Sequence, residues 1–119
     1  MAYARQGRLS AAREHLQRAL VLDPDYAEAH FNMGNLHYGA GELDAAEVAF
    51  MRARDADPAL AGAWQGLGNV YFSRSAWEQA LTAYRRALAL DANLAGVAYN
   101  MAKVHLQPAA PDSAVAALA

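Results

Sequence analysis

The stretch AEAHFNMGNLHYGAGELDAAEVAFMRARDADPAL, residues 27–60, decides the fold, because the rest of the chain repeats its pattern. It is 34 residues long, and the next 34, AGAWQGLGNVYFSRSAWEQALTAYRRALALDANL, return the same residue types at the positions that would pack. An internal period of 20 to 50 residues is the signature of a repeat protein, in which each unit buries its apolar face against a neighbour.

Equivalent positions of successive copies form columns of matching residues. One column is alanine throughout, one holds large apolar side chains, and one holds glycine twice before alanine. In that order, they are Ala12, Ala46, Ala80 and Ala114; Leu16, Phe50, Tyr84 and Leu118; and Gly34, Gly68 and Ala102. A small residue at the same place in each unit predicts that two helices approach closely there.

The third copy resembles the tetratricopeptide repeat most clearly. It carries Trp64, Leu67, Gly68, Tyr71, Ala80, Tyr84 and Ala87 in the spacing of that helix-turn-helix unit. Its one departure is Ala92, which stands where the closing proline is expected. The resemblance covers the whole chain and implies an all-α fold, a right-handed α-solenoid of helix-turn-helix repeats. It implies a single domain over 1–119, made of a partial repeat 1–26, full repeats 27–60 and 61–94, and a partial repeat 95–119.

Apolar residues spaced by three and four, with glycine and proline between them, predict where helices begin and end. We expect Gly7 to end a short first helix and Ala92 to allow a looser or longer helix end than proline would. The predicted helices cover about 9–22, 27–40, 43–56, 61–73 and 77–90, with a further helix from about 95.

Composition excludes several classes of function. A chain of 119 residues suffices for one domain, and the absence of cysteine excludes disulfides and thiolate chemistry. A net charge of -2 leaves no basic excess for a phosphate backbone, so we expect no nucleic-acid partner. No apolar run approaches the roughly 20 residues that span a bilayer, and no leader precedes the first repeat. We therefore expect a soluble protein without membrane insertion, with the cytoplasm favoured over the periplasm.

The sequence carries no motif for catalysis, a cofactor or a metal ion. Gly66 and Gly68 would lie on a helix, whereas a nucleotide-binding glycine loop follows a strand. His30 and His37 are two helical turns apart, roughly 10 Å, which one metal ion cannot bridge. His37 and His105 share a column with tyrosines, so we interpret them as packed, hydrogen-bonded side chains. We predict no enzyme, no cofactor and no metal site.

The first helices of tetratricopeptide units line a concave wall, which solenoids use as a binding surface. In this chain we predict that the wall carries asparagines between aromatic residues, and asparagine can hold the main chain of an extended peptide. The candidate peptide-binding residues are Phe31, Asn32, Asn35, Tyr38, Gln65, Asn69, Phe72, Tyr99, Asn100 and Lys103. This wall is similar to the peptide-holding superhelix attached to O-linked N-acetylglucosamine transferases. The competing interpretation is that these asparagines are solvated polar positions.

Three functions follow from the resemblance. The leading one is a protein-interaction scaffold that binds an extended segment of another protein or peptide. A second is self-association through terminal helices, since the partial end repeats should leave Leu9, Val115 and Leu118 exposed. A third is the substrate-holding or regulatory part of a larger enzyme. On the outer face, Arg18, Arg52 and Arg86 recur once per unit, and we interpret them as local contacts in preference to a site for an acidic partner.

Overall fold

The computed structural model describes residues 2–108, with side chains from residue 6 onward. Within that range the chain forms six α-helices and no strand, which confirms the prediction of an all-α fold. The helices are α1 Ala2–Leu22, α2 Ala27–Gly39, α3 Leu43–Ala56, α4 Ala61–Ser73, α5 Trp77–Leu90 and α6 Ala95–His105. The bounds of α2 to α5 agree with the expected ones to within one residue. None of these helices has the length and apolar character that spanning a lipid bilayer requires.

The expectation that Gly7 ends a helix is wrong, because α1 runs through it without a break. Gly41 and Ser75 occupy the same place in the next two repeats, and both have the positive φ of a turn, 77° and 60°. Those turns let two helices pack against each other. At Gly7 the helix continues, and glycine inside a helix costs only about 1 kcal/mol, which the packing of α1 against α2 can offset.

Contacts between elements divide the chain into two compact units, a first that ends at Pro58 and a second that begins at Ala59. In the first unit, α2 and α3 form a helical hairpin and α1 packs against α2. The hairpin is held together by small side chains around one large ring, since Ala46 and Ala53 are fully buried beside Phe50. Alanine at these positions permits two helices to lie close together.

In the second unit, α4 and α5 form the equivalent hairpin and α6 packs against α5. Its buried cluster consists of Ala80, Leu81, Tyr84, Ala87, Val97 and Val104. Half-buried aromatic and aliphatic side chains surround this cluster, so α6 shares one apolar core with the hairpin. That core fixes α4 and α6 relative to each other, and the candidate residues of both helices are positioned by it.

The glycine column marks the closest approach of each hairpin, as the sequence predicts. A Cβ atom at Gly34 would lie 2.5 Å from the ring of Phe50, and one at Gly68 would collide with the ring of Tyr84. Both rings are almost completely buried and cannot move aside. Leu118, the last member of the column that holds Phe50 and Tyr84, lies outside the described residues.

The turn after α5 closes as tightly as the turn after α3, so the expectation of a looser helix end at Ala92 is wrong. Asp57 ends its helix with φ -143° and ψ 92°, and Asp91 does so with φ -145° and ψ 99°. The Asp91 carboxylate accepts a hydrogen bond of 3.0 Å from the backbone N–H of Asn93. This side-chain turn supplies the local order that the proline would otherwise have given.

The exposure of apolar side chains on α1 agrees with the expectation from the sequence. Leu9 is 43% exposed and Leu16 is half-buried, as expected for a helix that lacks a complete partner. Val115 and Leu118, which were expected to be exposed at the other end, lie outside the described residues.

Candidate functional site

A buried tyrosine and two asparagines form a hydrogen-bonded group in the second unit. The hydroxyl of Tyr84 on α5 donates to Asn69 Oδ1 on α4, at 2.7 Å. The Asn100 Nδ2 group on α6 donates to the same oxygen, at 3.3 Å. Tyr84 is completely buried and both asparagines are half-buried, so the core of the unit holds the side chain of Asn69 in one orientation.

The asparagine pair keeps further hydrogen-bonding capacity on its open side. An asparagine has one carbonyl acceptor and an amide group with two donors. With its oxygen occupied by two donors, Asn69 offers its amide hydrogens, while Asn100 offers its carbonyl oxygen. The pair thus presents a donor and an acceptor side by side, which matches the C=O and N–H groups of a peptide backbone.

Two aromatic rings and a lysine lie beside the asparagines: Phe72 and Lys103 are one turn further along their helices, and Tyr99 directly precedes Asn100. Lys103 Nζ is 5.2 Å from the ring centroid of Phe72 and 5.5 Å from that of Tyr99, within the range of cation–π contact. Phe72 also packs edge-on against Trp77, with centroids 5.4 Å apart. Tyr99 is 66% exposed, which is unusual for so large an apolar side chain.

We call this group the asparagine patch and define it as Asn69, Phe72, Tyr99, Asn100 and Lys103. The spacing of three residues between Asn69 and Phe72, and between Asn100 and Lys103, puts each pair on one helix face. These five are half of the predicted binding residues. Gln65 lies one turn before Asn69 on α4 and is half-buried.

The other four predicted residues lie on α2 in the first unit. Phe31 is half-buried and packs against Phe50 with ring centroids 6.1 Å apart, so part of its surface serves the hairpin. Asn32 and Asn35 are exposed, and Tyr38 is half-buried. Asn35 is the repeat equivalent of Asn69, but the ring opposite it is a phenylalanine and has no hydroxyl to donate.

The histidines serve packing and turns. His30 is 8% exposed and its Nε2 donates to the Pro24 carbonyl oxygen at 2.7 Å. His37 Nδ1 donates to the Glu42 carboxylate at 2.8 Å, which confirms the interpretation of His37 as a hydrogen-bonded side chain. The same interpretation is wrong for His105, which is exposed.

The Glu42 carboxylate has a perturbed pKa. Its pKa lies below its ordinary value of 4.5, chiefly because His37 donates a hydrogen bond to it, and the positive charge of Arg13 acts in the same direction. Arg13 Nη2 is 3.7 Å from Glu42 Oε1. This group joins α1 to the turn between α2 and α3. Among residues 6–108, no three His, Asp or Glu side chains cluster in a way that could hold a metal ion.

Sequence reasoning missed the role of the Tyr84 hydroxyl. The column that holds Phe50 and Tyr84 indicates packing, and both rings do pack. The available signal was the difference between the two residues, since a buried tyrosine hydroxyl needs a hydrogen-bond partner and a phenylalanine does not. Asn69 is that partner.

Comparison with protein families identifies the class. A family model described as TPR repeat matches residues 2–41 and 68–107, and a second, described as Tetratricopeptide repeat, matches residues 27–60. The chain therefore belongs to the tetratricopeptide repeat family. A comparison with curated protein sequences gave no match.

Comparison with solved structures agrees, with 90 matching chains. One is the first TPR of Spaghetti (RPAP3), solved bound to the HSP90 peptide SRMEEVD. Its TM-score is 0.77 at 20% sequence identity, and the match covers 86% of this chain and 81% of that chain. The likeness confirms the predicted tetratricopeptide repeat fold.

Proposed function

We propose that the chain is a non-catalytic protein-interaction module that binds an extended segment of another protein, with the asparagine patch holding the main chain of that segment. The single observation that carries the proposal is the hydrogen bond between Asn69 and Asn100, which aligns a free donor with a free acceptor. An extended peptide presents the complementary C=O and N–H groups along its edge.

Fixed side chains favour this function energetically. Ordering a free side chain on binding costs about 0.5–1.5 kcal/mol, and Asn69 is already ordered by Tyr84. Each hydrogen bond to the peptide would then contribute about 0.5–1.5 kcal/mol net. The rings of Phe72 and Tyr99 add apolar contact for side chains, and Lys103 adds a positive charge beside them. Main-chain recognition gives affinity, and these three side chains give sequence preference.

The remaining predicted residues extend the same proposal. Gln65 lies on α4 beside the patch, and four residues lie on α2, the first helix of the preceding repeat: Phe31, Asn32, Asn35 and Tyr38. The single-domain organisation over 1–119 belongs to this proposal as well, because a continuous peptide needs a continuous row of first helices. The peptide-bound TPR of Spaghetti supports the function by likeness of fold.

The test begins with a phage-displayed library of random ten-residue peptides selected on the whole chain. The tightest peptide is synthesised with a fluorescein label, and its affinity is measured by fluorescence anisotropy. We expect Asn100→Ala to weaken binding about fivefold to tenfold, since one net hydrogen bond of about 1 kcal/mol is lost. The matched control is Gln79→Ala, which removes an exposed amide from α5 outside the patch.

A second measurement asks whether the main chain is recognised. The selected peptide is made with N-methyl groups at single peptide bonds, each of which removes one backbone donor. One methylation should weaken binding to the parent chain and have little effect on Asn100→Ala, because the two changes remove the same hydrogen bond. The proposal fails if Asn69→Ala and Asn100→Ala both bind the peptide as the parent chain does.

Variants also distinguish peptide binding from the alternative function predicted above, self-association through terminal helices. Light scattering gives the molar mass of the parent, of Asn100→Ala and of Leu9→Glu across a concentration series. Peptide binding predicts that Asn100→Ala changes affinity and leaves mass unchanged. Self-association as the main function predicts that Leu9→Glu lowers the mass and that no peptide depends on the asparagines.

A further inference from the structure

A cleft on the second unit carries two adjacent arginines beside a tryptophan. The residues that line it are Trp64 on α4 and Thr82, Arg85, Arg86 and Ala89 on α5, and it encloses about 400 Å³. We call it the basic cleft. Among the residues that the structure describes, no aspartate or glutamate lines it.

Packing positions one of the two cations. The guanidinium carbon of Arg86 lies over the Trp64 ring, 5.4 Å from its centroid. Stacking of this kind holds the planar group while leaving its N–H donors at the edge available for a carboxylate. Thr82 and Ala89 lie one turn before and after Arg86 on α5, and their short side chains leave space around it.

Two arginines of the first unit, Arg13 and Arg54, have acidic partners. Arg13 lies 3.7 Å from the Glu42 carboxylate, and Arg54 lies 3.0 Å from Asp55. Within the part of the chain that the structure describes, neither Arg85 nor Arg86 forms an ion pair. Two unneutralised charges side by side repel each other, and a pair of carboxylates would relieve that repulsion.

The first unit supplies an internal comparison, because it has a cleft at the same place in the repeat. Arg52 is the equivalent of Arg86, and it lines a cavity of about 690 Å³. That cavity also holds Asp55, at the position of Ala89, and Asp25. The first cleft thus carries its own acidic groups, whereas none of the described residues that line the second is acidic.

We propose that the basic cleft binds an acidic segment of a protein partner, with two carboxylates paired to Arg85 and Arg86. The guanidinium fork matches a carboxylate in shape and charge, and the Trp64 ring offers an apolar wall to the stem of a glutamate. A nucleic acid is a poorer fit, because two cations on a chain of net charge -2 neutralise few phosphates.

This site is separate from the asparagine patch and goes beyond the function proposed above. The two share no residue, and on α5 the side chain of Arg86 projects about 200° around the helix from that of Tyr84. A partner can therefore bind at one of the two sites while the other stays empty. Variants of one site should therefore leave the other unchanged.

The test uses a fluorescein-labelled ten-residue peptide of glycine and glutamate, with a glutamine version of the same peptide as its uncharged control. We expect the glutamate peptide to bind the parent chain, more tightly at low than at physiological ionic strength. Ala89→Asp places a carboxylate where the first cleft has Asp55 and should weaken binding at least tenfold. Arg86→Gln should weaken it by a similar factor.

Matched controls define the outcome. Arg52→Gln removes the equivalent arginine of the first cleft, and Asn100→Ala alters the asparagine patch; both should bind the glutamate peptide as the parent does. Circular dichroism establishes that each variant is folded, and Ala89→Asp tests the proposal even where Arg86→Gln loosens Trp64. The proposal is overturned if the glutamine peptide binds equally well, if Ala89→Asp has no effect, or if single-stranded DNA binds more tightly than the glutamate peptide.

Discussion

The two helical hairpins use the same packing device with one chemical difference. In the first, Gly34 faces the ring of Phe50, and in the second, Gly68 faces the ring of Tyr84. The second ring carries a hydroxyl, and that hydroxyl holds Asn69 at 2.7 Å. Position in the repeat therefore decides packing, while the identity of a single buried side chain decides whether a surface asparagine is held in place.

The two clefts also differ in residue type at equivalent positions of the repeat. Arg52 and Arg86 occupy equivalent positions, but Asp55 accompanies the first in its cleft and Ala89 the second. A repeat keeps its backbone and its core from copy to copy, so substitutions at the surface columns change charge without changing the fold.

Of the substitutions that test whether the two hairpins pack alike, those in the glycine column should change stability most. Gly68→Ala places a methyl group against a ring that is completely buried, so we expect a loss of about 1–3 kcal/mol in the free energy of unfolding. Gly34→Ala should cost a similar amount, because Phe50 is 1% exposed. Urea unfolding followed by circular dichroism measures both.

Gly96→Ala is the matched control, because a methyl group there meets open space. It removes a helical glycine without a clash and should leave stability unchanged or raise it by up to about 1 kcal/mol. If Gly68→Ala were as stable as Gly96→Ala, the close contact between α4 and α5 would be refuted.

The fold was predictable because the residues that pack recur at equivalent positions of successive repeats. The bounds of α3, α4 and α5 follow from apolar spacing and turn residues, and the glycine column predicts where the helices touch. The errors at Gly7 and Ala92 have one cause. A local signal was given more weight than its surroundings: α1 continues through Gly7, and Asp91 stabilises its turn without proline.

The candidate site was predictable in part. Periodicity places Asn69 and Asn100 on first helices, since that depends only on their position in the repeat. It does not reveal that their side chains meet, because α4 and α6 are separated in sequence by all of α5. The hydrogen bond from Tyr84 depends on the distance across a packed core, and only the folded chain supplies that distance.

A smaller change in stability is expected when the buried ring of the second hairpin is replaced by that of the first. Tyr84→Phe gives the second hairpin the phenylalanine of the first. It removes the hydroxyl group that donates a hydrogen bond to Asn69. We expect a loss of about 0.5–1.5 kcal/mol in the free energy of unfolding, typical of one hydrogen bond. The selected peptide should also bind more weakly, because Asn69 would have to be ordered on binding.

The reciprocal variant is Phe50→Tyr, which offers a hydroxyl to Asn35. If the hydroxyl reaches that amide, the variant should be about as stable as the parent, since the buried group is satisfied. A loss well beyond that of Tyr84→Phe would mean that the two hairpins differ in geometry as well as in chemistry, and the comparison would have to be abandoned.

The smallest effect is expected at the turn after α5, where Ala92→Pro would give Asp91 the neighbour that Asp57 has. The backbone suits proline, because Asp91 has the same extended φ and ψ as Asp57. No backbone hydrogen bond from the Ala92 N–H occurs among residues 2–108, so none is lost. Proline restricts the unfolded chain, and we expect a gain of about 0.4–1 kcal/mol in urea unfolding. Pro58→Ala should lose a similar amount. If Ala92→Pro is destabilising, the Asp91–Asn93 turn differs from its counterpart in a way that equal dihedral angles at Asp57 and Asp91 do not capture.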